Sequence, residues 1–71
     1  MRVSFDLIFQ VNKDGSVSPK MSVYINGVTL NPGVSFTTGV SIGGIDLTLL
    51  KGKDLDIEKG NNVTIIKGYF S

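Results

Sequence analysis

Residues Met21–Leu30 read Met-Ser-Val-Tyr-Ile-Asn-Gly-Val-Thr-Leu. Met21, Val23 and Ile25 alternate with Ser22 and Tyr24, and a second apolar run resumes at Val28. A period of two marks a strand with one buried face. Asn26-Gly27 between two such runs marks a tight hairpin, because a type I′ turn needs positive φ at both central residues. The stretch therefore predicts an antiparallel hairpin and makes β structure the expectation for the chain around it.

Towards the N-terminus, Val3, Phe5, Leu7, Phe9 and Val11 fall on alternate positions. They predict a first strand, closed by the turn residues Asn12-Lys13-Asp14-Gly15. Towards the C-terminus, Asn31-Pro32-Gly33 suits a type II turn, with Pro at its second and Gly at its third position. Gly33-Val34-Ser35-Phe36 and Gly39-Val40-Ser41-Ile42 repeat a short pattern, read as two short strands. Gly43-Gly44 marks a bulge or a sharp bend. Ile45 and Leu47 alternate again, and Leu55–Ile57 with Val63–Ile65 predict a C-terminal hairpin across Lys59-Gly60-Asn61-Asn62. The best helical candidate is Leu49–Glu58, which Gly52 weakens.

These elements predict a single β domain over residues 1–71: an all-β, mostly antiparallel small barrel or sandwich of about six or seven short strands. The expected core is Phe5, Leu7, Phe9, Met21, Val23, Ile25, Val28 and Leu30 in the first half. In the second half it is Ile45, Leu47, Leu55, Ile57, Val63 and Ile65. Composition agrees. Val, Ile and Thr together number 20 of 71 residues, and there is no Ala. β-branched side chains suit a pleated surface, and the best helix former is missing.

The same composition narrows function. There is no Cys and no His, so disulfides, thiolate ligands and the commonest general base are absent. Seven basic and six acidic residues leave a net charge of +1, which gives little field for phosphate and disfavours nucleic acid as a partner. No apolar run reaches the ~18–20 residues that span a bilayer. Asp6 interrupts the stretch where a secretory signal would be apolar. The expectation is a cytoplasmic protein with no membrane partner.

Four features invite a chemical reading. Asp54, Asp56 and Glu58 alternate along one strand face, where carboxylates suit Ca²⁺ or Mg²⁺. Lys51, Lys53 and Lys59 flank them, so the reading is a solvated face that guards an edge strand, with no metal site. Gly39–Gly44 is glycine-rich but lacks the following helix and nearby Lys of a phosphate cradle. Serines and threonines are plentiful, yet none has a His base and no G-x-S-x-G elbow occurs. The expectation is no enzyme and no cofactor. Tyr24 and Tyr69, beside lysines, leave a small oligonucleotide-binding β-barrel as the alternative.

Ile8, Tyr24, Leu50 and Ile66 fall on the nominally polar faces of their strands. Grouped together, they would form a second apolar surface, which a soluble monomer seldom displays. A core of this size yields only ~3–5 kcal/mol without disulfides, metal or association. Both points favour a non-enzymatic interaction module that self-associates or binds another protein, with those four residues at the contact.

Overall fold

Asn26 (φ 48°) and Gly27 (φ 86°) adopt the left-handed backbone that a two-residue hairpin turn requires. The computed structural model describes residues 1–70, and the elements follow in this order: β1 (Arg2–Ser4), a one-turn helix α1 (Phe5–Ile8), β2 (Phe9–Val11), β3 (Val17–Pro19), β4 (Val23–Ile25) and β5 (Val28–Leu30). After them come β6 (Ser41–Ile42), β7 (Ile45–Asp46), a 3₁₀ turn (Leu47–Leu50), β8 (Asp54–Lys59) and β9 (Thr64–Phe70). The all-β expectation holds, with more and shorter strands than the pattern suggested.

Five strands form one sheet in the order β1-β8-β9-β4-β5. Its pairs are antiparallel except β4 with β9, which run parallel. β2–β3 and β6–β7 are separate two-stranded hairpins. β1 and β5 are free edges among the described residues, so the sheet is open and the barrel expectation is not met.

The expected first strand is broken. Ser4 caps a helical turn, its Oγ accepting from the Asp6 amide at 3.3 Å, and the Phe9 amide donates to the Phe5 carbonyl. One turn of helix brings residues i, i+3 and i+4 to one side. Phe5, Ile8 and Phe9 are therefore buried together, with the two rings stacked at 5.0 Å. Leu7, expected in the core, faces solvent.

The C-terminal hairpin forms, with Leu55 and Ile57 buried as expected and the β9 side chains in the opposite phase. Gly60, Asn61, Asn62 and Val63 make a four-residue loop closed by Gly60 N–H donating to the Val63 carbonyl at 2.8 Å. Lys59 consequently pairs with Thr64 and Ile57 with Ile66. A one-residue change of register sends every side chain to the other face. Thr64 and Ile66 go inward, and Val63 and Ile65 are only partly covered. Further along, Asp56 pairs with Gly68, which leaves Lys67 as the extra residue of a bulge.

Gly43 (φ 58°) and Gly44 (φ 85°) form the two-residue turn of β6–β7, a sharp bend within a hairpin. The paired motif at Gly33–Phe36 contributes only a bridge, Val17 with Phe36. Leu49–Glu58 is not one helix: a 3₁₀ turn ends at Leu50 and β8 begins at Asp54.

One face of the large sheet carries the core. Val23, Ile25, Leu30, Leu55, Ile57 and Ile66 cluster with Phe5, Ile8, Phe9 and Val17 from the N-terminal hairpin and with Leu47 and Leu50 from the 3₁₀ turn. Paired residues of neighbouring strands share a face, so the chain Glu58–Ile65–Tyr24–Thr29 runs across the opposite, open side.

Candidate functional site

The four residues expected to share a contact surface are divided. Ile8, Leu50 and Ile66 are buried in the core, and only Tyr24, 41 % exposed, reaches solvent. The causes are local: the helical turn inverts Ile8, the 3₁₀ turn inverts Leu50, and the hairpin register inverts Ile66. The second apolar surface is thus covered by the chain itself.

The 3₁₀ turn creates a different surface. With three residues per turn, positions i and i+3 eclipse, so Leu47 and Leu50 both point inward and Leu49 is turned out. Asp46 caps the turn. Its Oδ1 accepts from Thr48 N–H at 3.0 Å and Thr48 Oγ1 at 2.6 Å, and its Oδ2 accepts from Gly39 N–H at 2.8 Å. The Thr48 hydroxyl bond, then the Gly39 amide, hold this carboxyl below its ordinary value.

Across from Leu49 stands Tyr69 on β9. Between them lies an open cleft of about 480 Å³, floored by Ile45 and Leu50 and bordered by Asp46 and Lys53. Leu49 is 68 % and Tyr69 50 % exposed. Lys53 Nζ lies 5.7 Å from the centroid of the Tyr69 ring, a distance at which a cation is attracted to the aromatic face. Sequence reading flagged Tyr69 only as a stacking candidate and did not single out Leu49. The doublet Leu49-Leu50 was the available signal, since a strand or a short turn sends adjacent side chains in different directions.

A second cleft of about 400 Å³ adjoins the first at Lys53 and is lined by Arg2, Lys51, Gly52, Asp54 and Phe70 as well. Arg2 lies 4.2 Å over the Phe70 ring and donates through Nε to Asp54 Oδ2 at 2.7 Å.

The carboxylates of β8 do not guard an edge, because β8 lies between β1 and β9. Each has its own cation: Arg2 on Asp54, the Met1 ammonium on Asp56 at 3.1 Å, and Lys67 on Glu58 at 3.4 Å. Among the described residues no group of three or more His, Cys, Asp or Glu side chains is placed to hold a metal. These carboxylates share the open face with Tyr24, whereas Tyr69 pairs with buried Leu55 and so lies on the core side. The two tyrosines therefore project from opposite faces and do not form one stacking platform.

Elsewhere, Asn12 Nδ2 donates to Ser16 Oγ at 3.0 Å and Ser18 Oγ at 2.9 Å, while Asp14 Oδ1 accepts from Ser16 N–H and Oγ. No buried side-chain polar atom lacks a partner among the described residues. This serine cluster satisfies itself and ties the β2–β3 turn together.

No family model, curated protein or solved structure matches this chain. No helix among the described residues is long and apolar enough to cross a membrane.

Proposed function

We propose that this chain is a non-enzymatic interaction module whose contact surface is centred on the cleft between Leu49 and Tyr69, where it takes another protein or a second copy of itself. The observation that carries the reading is the exposure of those two large apolar side chains on either side of one concave, apolar-floored site. Bulky apolar and aromatic anchors around a pocket dominate protein contacts. Exposed leucine in isolation is ordinary; Leu49 and Tyr69 differ in bordering a cleft together. The absence of cysteine suits action in the reducing cytoplasm.

Selection from a displayed library of random peptides, run beside light scattering over a concentration series, tests this. The expected result is either a rise in molar mass or an enriched set of peptides. Either must be lost in a Leu49→Ser/Tyr69→Ser variant that melts like the parent. A chain that stays monomeric and enriches nothing dependent on those two side chains overturns the reading.

A further inference from the structure

The turn Lys51-Gly52-Lys53 separates the two clefts, and it is held rigidly. Lys53 N–H donates to the Leu50 carbonyl at 3.1 Å, and the Lys53 carbonyl accepts from Phe5 N–H at 3.1 Å. Gly52 takes φ 77°, which a side chain there would resist. Lys51 Nζ donates to the Gly15 carbonyl at 2.6 Å. An ammonium has three donors, so this bond leaves two for another acceptor.

The charges around the turn are unequally satisfied. Among the described residues neither Lys51 nor Lys53 has a carboxylate at ion-pair distance. The carboxylates bordering the clefts are Asp46 and Asp54. Asp46 accepts three hydrogen bonds from Thr48 and Gly39 and also feels the Lys51 charge, and Asp54 is engaged by Arg2. The two clefts thus meet at Lys53 on either side of the turn; in the second, cations outnumber carboxylates, and neither Lys51 nor Lys53 is held in an ion pair among the described residues.

We propose, resting on the interaction reading above, that the occupant is an acidic segment of a partner protein: a bulky apolar or aromatic side chain seated between Leu49 and Tyr69, with a neighbouring Asp or Glu meeting Lys53 and Lys51. A polyphosphate chain fits less well, because it would leave the apolar cleft unfilled. A second copy fits less well too. The exposed acidic–apolar pair of this chain, Asp6-Leu7, sits in a one-turn helix folded against the body of the domain, whereas a flexible segment can follow both clefts.

The test uses three amidated synthetic peptides, each carrying a Phe-Leu pair flanked by Asp and Glu, by Asn and Gln, or by Lys. Each is titrated into ¹⁵N-labelled chain at low and at physiological salt. The acidic peptide is expected to bind about tenfold more tightly than the neutral one, the sum of two exposed ion pairs, with shifts at Leu49, Lys53 and Tyr69. Salt weakens that preference, and Lys51→Gln/Lys53→Gln abolishes it. Lys53→Gln alone, which leaves the Gly15 contact intact, halves it or more.

Equal binding of acidic and neutral peptides at Leu49 and Tyr69 overturns the proposal and leaves the interaction reading standing. No shift with any of the three overturns the proposal, and the library selection then decides the reading separately. Tighter binding of a single-stranded oligothymidylate through the same lysines overturns it in favour of nucleic acid. A rise in molar mass abolished by Leu7→Ser overturns it in favour of a second copy.

Discussion

The helical turn at Phe5–Ile8 reverses which of two adjacent side chains holds the fold together, and a pair of substitutions tests it. Ile8 is 3 % exposed and Leu7 is 61 % exposed. Ile8→Val removes one buried methylene, costing about 1 kcal/mol. For a domain of this size that lowers Tm by roughly 4–8 °C. Leu7→Ala removes more atoms, but from solvent, and is expected to stay within about 0.5 kcal/mol of the parent. It also places the best helix former inside α1. Thermal and urea melts followed by circular dichroism measure both variants, with an unchanged urea slope showing that stability alone has moved. An extended strand through Val3–Val11 would give the reverse ordering. There Leu7→Ala would cost about 2–5 kcal/mol. A larger loss from Leu7→Ala than from Ile8→Val would refute the helical turn and the packing built on it.

Gly43→Ala is expected to cost about 2–4 kcal/mol, combining left-handed strain with overpacking. Its Cβ would lie 2.6 Å from the Asn26 Cβ. Gly39→Ala, with nothing within 4 Å, is expected to cost only the backbone strain of about 1–2 kcal/mol, and chemical denaturation ranks the two. Asn26 Nδ2 donates to the Gly43 carbonyl at 3.0 Å, so Asn26→Gly should lose about 1 kcal/mol. Asn26→Ala, which adds strain at positive φ, should lose about 2 kcal/mol; equal losses would mean that the turn geometry contributes nothing. The carboxyls of Asp14 and Asp46 are held below their ordinary value of 3.8, chiefly by the hydroxyls of Ser16 and Thr48. A depressed folded-state pKa adds stability that is complete above the unfolded value and is lost as the pH falls through the folded one. Stability should therefore decline below pH 3.8, and an Asp14→Asn/Asp46→Asn variant should show a flatter acid limb in melts taken across that range.

Local turn chemistry was legible in the residues. Asn26-Gly27, Gly43-Gly44 and the β8–β9 connection all reverse the chain where their composition says they must. What failed was phase. Phe5 and Phe9 satisfy a period of two and equally the i, i+4 spacing of a helix, so alternation could not separate the two. Ile8, three residues beyond Phe5, was the deciding residue, and Ser4 followed by Asp6 was the capping signal beside it. At β9 the string Val63-Thr64-Ile65-Ile66 has apolar residues in both phases. Only the loop length, fixed by the Gly60–Val63 bond, selects Ile66 over Ile65. The site followed the same rule. Three of the four residues expected at a contact were misplaced by these inversions, and Leu49 reached the surface through the eclipsed geometry of a 3₁₀ turn that carried no periodic signature. The parallel pairing of β4 with β9 has no signal in either strand alone, because it depends on where β8 leaves the chain.

That parallel pairing sets an order of events during synthesis. β9 lies between β8 and β4, joining Val23 to Thr64 and Asp54 to Phe70. Until Thr64–Phe70 has left the ribosome, the sheet exists only as two fragments: the β4–β5 hairpin and the β1–β8 pair. Contacts so distant along the chain slow folding, since loops must close before any pairing rewards them. A chain in which Thr64–Phe70 has not yet docked leaves the backbone edges of β4 and β8 unpaired at once, open to chaperones, proteases or each other until β9 slides between them.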